Sequence, residues 1–166
     1  MEKRIQRADW CFIEVCTRMN RYPKWWNTDI TVYTKYEDSM TNIVSWYKHT
    51  ISGCFWKYTG NKTTIGETVL DTNTIICRIP IQDNYMDKGQ WISLPNEQLG
   101  DYFTLGQGDI IIKGNVADEI NEYASGHHSS DLLSKYKKYG ECMVISRCAD
   151  NTGGGRNEEH YLAQGE

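Results

Sequence analysis

The stretch that decides the fold class is Thr28-Asp29-Ile30-Thr31-Val32-Tyr33-Thr34-Lys35-Tyr36. It is rich in β-branched and aromatic residues, which favour strands. Its apolar residues recur with a period of two, the period of a β-strand. The residues that follow it, Glu37-Asp38-Ser39, are typical of a turn.

Further extended segments follow along the chain. They are residues 43–49, 51–58, 74–80, 110–112, 142–148 and 159–165. Gly53 is a candidate bulge or bend between the first two, and Ile75, Ile76 and Ile79 are core candidates in the third. Short strands with Gly- and Asn-rich connections predict a mostly-β fold, a small antiparallel β-barrel or sandwich.

The N-terminal region has a different pattern. Apolar residues recur at helical spacing over residues 5–19, which predicts an amphipathic helix. Pro23 ends it, because the residue before a proline avoids the α region. Its apolar stripe needs a surface, on its own domain or on a neighbouring subunit. We therefore divide the chain into a helical extension, residues 1–27, and a β-barrel domain, residues 28–166.

Two further short helices are predicted, over residues 118–123 and 129–138. In the second, Asp131 lies near the start and Lys135 near the end, which suits the helix dipole. Residues 82–101 are expected to be irregular, and residues 59–73 to form a long loop or an exposed hairpin.

Composition limits the possible partners. The 166 residues carry a formal charge of -4, which argues against a general nucleic-acid binder. It remains compatible with a channel past which DNA slides, since an acidic wall repels phosphate. The 11 Tyr and 6 Trp, against 3 Phe, suit strand surfaces, with about a third of them assigned to interfaces.

Targeting signals and cysteine motifs are missing from the sequence. No apolar run is long enough to span a membrane, and Glu14 and Arg18 break the first one, unlike a signal peptide. The six cysteines include no C-x-x-C pair. We expect reduced, half-buried thiols of a cytosolic protein.

Catalytic motifs are missing as well. Gly106-x-Gly108 is followed at position 111 by Ile, and Gly153-Gly154-Gly155 lacks the Lys-Ser/Thr of a P-loop. A metal site built from His160, Glu158 and a distant cysteine is a minor alternative to solvated side chains. Asp109 is expected to cap or turn the chain before its strand. The sequence therefore predicts no enzyme, cofactor or metal.

Four segments in order resemble the head-closure (stopper or neck) proteins of tailed bacteriophages. They are Asp29-Ile30-Thr31-Val32-Tyr33; Gly53-Cys54-Phe55-Trp56-Lys57-Tyr58; the stretch from Phe103-Thr104-Leu105 through Gly108-Asp109-Ile110-Ile111 to Lys113-Gly114; and Met143-Val144-Ile145 to Asp150-Asn151, followed by glycines and by His160-Tyr161-Leu162-Ala163-x-Gly165. Together they extend over residues 28–166, and the last two are the more specific.

The resemblance implies a virion protein of the head-to-tail connector, made in the host cytoplasm. It implies a homo-oligomeric ring of twelve copies, or six at a tail interface, with a portal or adaptor above, a tail terminator or tail tube below, and DNA passing through without sequence-specific contacts. In that family a loop between the second and third core strands helps to close the channel. The corresponding candidate gating residues here are Thr59, Asn61, Lys62, Thr63, Thr64, Ile65, Gly66, Glu67, Thr68 and Asp71.

Two features depart from the family pattern. About 27 residues precede the first strand, so either the helix docks on a neighbour or translation starts at Met19 instead of Met1. The insertion at residues 115–139 is longer than a barrel requires, and its lysines are candidates for an acidic adaptor surface. The candidate intersubunit contacts are Phe12, Trp25, Trp26, Trp91, Lys135, Lys137 and Lys138.

Two main alternatives stay open, and an enzyme remains a third and least favoured one. A tail-terminator or other tail-tube subunit also forms a β ring, usually with a helix packed across the barrel. A small ligand-binding β-barrel would use exposed Trp and Tyr side chains.

Overall fold

A computed structural model describes residues 22–65, 68–137, 140–153 and 159–166, with residues 61–65 and 68–72 described by their backbone alone. The predicted N-terminal helix over residues 5–19, and Phe12 with it, lies outside the described residues. The same holds for Lys138 and for the predicted metal ligand Glu158.

Six strands form a closed antiparallel barrel. They are β1 (Thr28–Glu37), β2 (Val44–Ile65), β3 (Thr68–Pro80), β4 (Ile110–Lys113), β5 (Cys142–Asn151) and β6 (His160–Gly165). Around the barrel their order is β1-β2-β3-β6-β5-β4, and β4 pairs with β1 to complete the circle. The predicted mostly-β barrel is confirmed.

The second strand is longer than the sequence indicated. Residues 43–49 and 51–58 were expected to be separate strands, but both belong to β2. Gly53 is the site of a bulge, as predicted: Thr28 pairs with Cys54, whereas Ile30 pairs with Ile51, so β2 carries one extra residue there. Gly53 has a φ of 75°, which glycine adopts without steric cost. The bulge bends β2 without ending it.

Side chains of the first strand alternate between two apolar clusters. Ile30 and Val32 point into the barrel, which is filled by Ile51, Cys54, Ile75, Cys77, Ile79, Phe103, Leu105, Ile111, Met143, Ile145, Tyr161 and Ala163. Tyr33 points outward and packs with Ile110, Ile112, Val116, Leu132 and Cys142. The core predictions for Ile75 and Ile79 are confirmed, whereas Ile76 is only half-buried.

The chain between β4 and β5 covers this outer cluster. The described residues of this segment contain one helix, α2 (Ser129–Tyr136), which confirms the second predicted helix and buries Leu132. The helix predicted over residues 118–123 is wrong, because no helix forms there. Tertiary bonds hold this segment instead: the Tyr33 hydroxyl donates to the Asp118 carbonyl at 2.7 Å. The Thr31 hydroxyl likewise donates to the Gly114 carbonyl at 2.8 Å.

The chain between β3 and β4 covers one end of the barrel. It contains a short helix, α1 (Lys88–Ile92), and a 3₁₀ turn, Asn96–Gln98. Trp91 is fully buried, and its indole N–H donates to the carbonyls of Leu99 and Tyr102. The proposal of Trp91 as an intersubunit contact is therefore wrong: the ring is part of the fold. Among the described residues, no helix is long and apolar enough to cross a membrane.

Candidate assembly surface

The most prominent surface feature is a two-stranded ribbon that extends beyond the barrel. We call residues 59–65 and 68–74 the β2–β3 arm. Its strands pair continuously, from Thr59 with Thr74 to Ile65 with Thr68. Seven residues a strand give the arm a length of roughly 23 Å. The expected long loop or exposed hairpin is a hairpin.

Both outer edges of the arm lack a strand partner in the described part of the chain. On one side, pairing between β1 and β2 stops at Thr28 with Cys54. On the other side, pairing between β3 and β6 stops at Ile75 with Gly165. The arm therefore presents two rows of backbone N–H and C=O groups, which form a template for a further strand. A two-stranded ribbon alone is only marginally stable in water.

The candidate gating residues all belong to this arm, except that Gly66 and Glu67 lie outside the described residues. Thr59, Asn61, Lys62, Thr63, Thr64 and Ile65 are on its β2 strand, and Thr68 and Asp71 are on its β3 strand. The structure thus brings together, by strand pairing, residues that were predicted only from their place in the sequence.

The base of the arm is fixed against the chain that follows α2. The Trp56 indole N–H donates to the Gly140 carbonyl at 3.2 Å. The Tyr58 ring lies so close to Gly140 that an added Cβ would be 2.9 Å from its Cδ2 atom, and Gly140 has a φ of 66°. A glycine at this position lets the ring and the backbone approach each other. The arm is therefore held where it leaves the barrel.

A cleft of about 270 Å³ opens at the same base. It is lined by Tyr58, Asn73, Ile75, Lys137, Gly140, Cys142 and Glu166. Lys137 and Glu166 give it one cation and one anion. Burial raises the pKa of the Cys142 thiol to about 12, which keeps the thiol protonated and a poor nucleophile.

The chain just before β1 packs against β2, through Trp26 and Phe55, and against the ends of β3 and β6. The Tyr22 hydroxyl donates to the Glu159 carbonyl and accepts from the Ile81 N–H, both at 2.9 Å. Its ring stacks on Trp26 at 4.9 Å between centroids. Of the two candidate contact tryptophans, Trp26 is half-buried in this stack, whereas Trp25 is 66% exposed.

Among the lysines predicted to contact an adaptor, Lys135 forms an ion pair within the chain. The Lys135 ammonium contacts both carboxylate oxygens of Asp118, at 2.9 and 3.1 Å. The Tyr136 hydroxyl donates to the same carboxylate at 2.6 Å, and this bond, with the Lys135 bond after it, lowers the pKa of Asp118. Lys135 therefore fastens α2 to the preceding loop, and Lys137 lies at the cleft beside the arm.

A second concavity, the outer groove, lies beside α2 over β1 and β4 and the neighbouring parts of β2 and β5. Its volume is about 330 Å³. It is lined by Lys35, Val44, Trp46, Gly108, Ile110, Glu122, Ser129, Leu133 and Val144. Helix α2 therefore covers only part of the outward apolar face of this sheet, and the groove is the remainder.

Sequence reasoning missed a buried ion pair. Asp109 is 1% exposed, and its carboxylate contacts the Lys88 ammonium at 3.0 and 3.1 Å. It also accepts the Lys35 N–H at 2.9 Å. The Asp109 N–H donates to the Gly106 carbonyl at 3.2 Å, so the expected local turn is present, and the buried ion pair is a further role of the side chain. Burial raises the pKa of Asp109, and the Lys88 charge opposes that rise. No sequence motif links the two residues, which are 21 positions apart.

The Lys88–Asp109 ion pair links two parts of the fold. Lys88 is in α1 and Asp109 directly precedes β4, so the pair ties the end-covering segment to the barrel. The ammonium also donates to the Lys35 carbonyl at 3.1 Å and lies 4.9 Å from the centre of the Trp91 ring. Neither charged side chain lines the clefts described above. Structural ion pairs perturb pKa values as catalytic groups do.

Metal-binding chemistry has little support in the described residues, which contain no group of three or more His, Cys, Asp or Glu side chains placed to hold an ion. A His160 ring nitrogen lies 3.2 Å from the Asn151 amide nitrogen, and the ring meets Trp26 edge-on. The His49 Nε2 atom is buried without a hydrogen-bond partner, and burial lowers the pKa of that ring.

The fold and its surface thus define a closed six-stranded barrel with a projecting β2–β3 arm. The chain belongs to a family of unknown function, DUF6751, whose profile matches residues 25–166. No curated protein and no solved structure matches the chain. The family match begins within the predicted N-terminal extension and includes all six strands.

Proposed function

We propose that this protein is a structural subunit of the neck of a tailed bacteriophage. In this proposal it forms a ring that joins the portal and adaptor to the tail and helps to retain packaged DNA in the virion. The observation that carries the proposal is the β2–β3 arm. It connects the second and third strands, as does the channel-closing loop of the head-closure proteins that the sequence resembles.

The physical case rests on the unpaired edges of the arm. The backbone N–H and C=O groups along each edge of the arm can pair with one further β-strand. In a ring of identical subunits, the arm of one subunit can provide that strand for the arm of its neighbour. Around a channel, these arms would narrow the opening in proportion to their reach of roughly 23 Å. The formal charge of -4 suits a surface from which DNA must later slide away.

The test shortens the arm without disturbing the barrel. Deleting residues 62–65 and 68–71 removes four residues from each strand and leaves Asn61 opposite Thr72, with residues 66 and 67 between them. An even number keeps every remaining side chain on its face. We expect heads assembled with the shortened protein to carry the ring but to lose their DNA.

The matched control keeps the length of the β2–β3 arm and changes two residues on one of its faces. Thr63→Ser with Thr72→Ser preserves the backbone ribbon, and we expect it to retain DNA. Heads that hold their genome with the shortened arm would refute the gating role. A purified chain that does not bind portal–adaptor complexes would refute the placement in the neck.

A tail-terminator or tail-tube ring is the second candidate, favoured by one observation. Helix α2 packs across the outer face of the barrel through Leu132, and related tail proteins usually carry such a helix. Binding to tail tubes in preference to portal–adaptor complexes would select this candidate. A barrel that encloses its ligand is disfavoured, because side chains fill the barrel interior. A ligand bound by exposed Trp and Tyr side chains stays a separate prediction.

A further inference from the structure

The outer groove needs an occupant, and the chain contains one suited to it. Trp46, Leu133 and Val144 in the groove are half-buried apolar side chains. An amphipathic helix laid in such a groove removes apolar surface from water. The apolar stripe expected over residues 5–19, with Phe12 at its centre, is a surface of this kind.

Charge favours this occupant. Residues 1–21 contain five Lys and Arg against three Asp and Glu, a formal charge of +2. Because the whole chain has a formal charge of -4, residues 22–166 carry -6. In the groove itself Lys35 is paired with Glu37 at 3.5 Å. Glu122 accepts hydrogen bonds from the Trp46 indole and the Ser129 N–H. The segment and the body of the protein therefore attract each other.

The barrel order indicates which copy supplies the segment. Tyr22 is fixed to Ile81 and Glu159, which flank the paired ends of β3 and β6. The groove is centred on β1 and β4 and extends at its sides onto β2, through Val44 and Trp46, and onto β5, through Val144. In the closed strand order, β2 lies between β1 and β3, and β5 lies between β4 and β6. The pair β1 and β4 is therefore on the opposite face of the barrel from the pair β3 and β6. The chain thus enters on the face away from its own groove.

We infer that residues 1–21 of each subunit dock in the outer groove of the next subunit. The donor face and the acceptor face differ, so the contact is head-to-tail. Head-to-tail contacts form a ring when the rotation between neighbours closes and an open filament when it does not, and the proposed ring is the closed case. This inference rests on the proposed ring and names the element that links its members. It also gives a role to the N-terminal extension, which the head-closure resemblance does not explain.

The test uses disulfide formation between two full-length variants. The donor retains Cys16, on the apolar stripe, and carries Cys11→Ser. The acceptor carries Leu133→Cys in the groove together with Cys11→Ser and Cys16→Ser, and a tag that changes its size. Both carry Cys148→Ser, because that thiol is exposed, whereas Cys54, Cys77 and Cys142 are buried. A mixed disulfide can then form only between chains.

We expect oxidation of the mixture to give the mixed dimer as the main product. Two controls should reduce it to background: an acceptor with Lys57→Cys, an exposed position outside the groove, and a donor that retains Cys11 in place of Cys16. Val144→Cys is a second groove position, in case Leu133→Cys disturbs α2. A chain carrying both Cys16 and Leu133→Cys should give a ladder of linked chains.

The opposing results are distinct. An intrachain disulfide alone would show that the segment folds back on its own barrel, and no disulfide from either groove position would show that it binds elsewhere. Either result overturns the inference. Rings that bind portal–adaptor complexes without this link would leave the proposed function standing. Linked chains that never bind those complexes would refute the proposed function and not the inference.

Discussion

At the scale of single residues, the buried ion pair is the most sensitive point of the fold. Replacing Lys88 with Met leaves the Asp109 carboxylate buried without its counter-ion. We expect the free energy of unfolding to fall by about 3 kcal/mol, since an unpaired buried charge is costly. Urea unfolding followed by tryptophan fluorescence measures this loss.

A double variant separates the charge from the packing. Lys88→Met with Asp109→Asn removes both charges and keeps an oxygen to accept the Lys35 N–H. We expect it to be more stable than Lys88→Met alone. Equal stability of the two variants would show that the carboxylate does not need its partner.

A second residue-scale prediction concerns Gly165, where three strands meet. It pairs with Ile75 of β3 and Ile145 of β5, and an added Cβ would overlap the backbone carbonyl of Val144. Backbone atoms cannot move aside as a flexible side chain can. We expect Gly165→Ala to reduce stability by about 2 kcal/mol or more. Gly153→Ala is the control, because nothing lies within 4 Å of its added Cβ; thermal unfolding compares the two.

At the scale of elements, α2 is held to its loop by Asp118. Hydrogen bonds from Tyr136 and Lys135 lower the pKa of the Asp118 carboxyl below its usual value. The contribution of Asp118 to stability is therefore present above the unfolded pKa of about 3.9. This contribution disappears as the pH falls through the folded pKa. Because the carboxylate is partly exposed, we expect Asp118→Asn to cost about 1 kcal/mol or less at neutral pH.

The pH dependence tests that assignment. The stability difference between the wild-type protein and Asp118→Asn should shrink as the pH falls below about 4. Glu119→Gln is a suitable control, since Glu119 pairs with Lys48 and not with α2. A difference that persisted in acid would mean that the asparagine disturbs packing and not charge.

At the scale of the whole molecule, the barrel divides the four thiols of the described residues into two groups. Cys54 and Cys77 point into the barrel and Cys142 lies under the outer cluster, whereas Cys148 is exposed. We expect a thiol reagent to label Cys148 rapidly in the native protein and the three buried thiols only on unfolding. Peptide mass spectrometry after a short labelling pulse makes the comparison. Rapid labelling of Cys54 would contradict a closed barrel.

Much of the fold is predictable from local pattern. The alternation in residues 28–36, the bulge at Gly53 and helix α2 depend on neighbours in sequence. Residues 118–123 show the limit, because bonds to Tyr33 and Tyr136 override a weak helical pattern. Trp91 is a second case in which tertiary contacts override the local pattern. An aromatic residue in a polar loop suggests a contact surface, but here Tyr36 and Tyr47 enclose it edge-on.

The sequence predicted which residues form the β2–β3 arm but not that they form a paired ribbon. The polar residues 59–73 predicted an exposed segment, and turn residues at both of its ends allowed either a loop or a hairpin. Strand pairing across the turn determines that it is a ribbon. The outer groove had no sequence signal, since Lys35, Leu133 and Val144 are about 100 residues apart at their extremes and meet only through barrel closure.

The sequence by itself determined the β class, the strand character of residues 28–36, 74–80 and 142–148, and the absence of familiar catalytic motifs, because strand period and motif spacing are local properties. Only the tertiary structure decided that β4 closes on β1, that Lys88 pairs with Asp109, and that the arm leaves the barrel with both edges unpaired. These features depend on which distant strands become neighbours, and that choice follows from burying the apolar faces of all six strands at once.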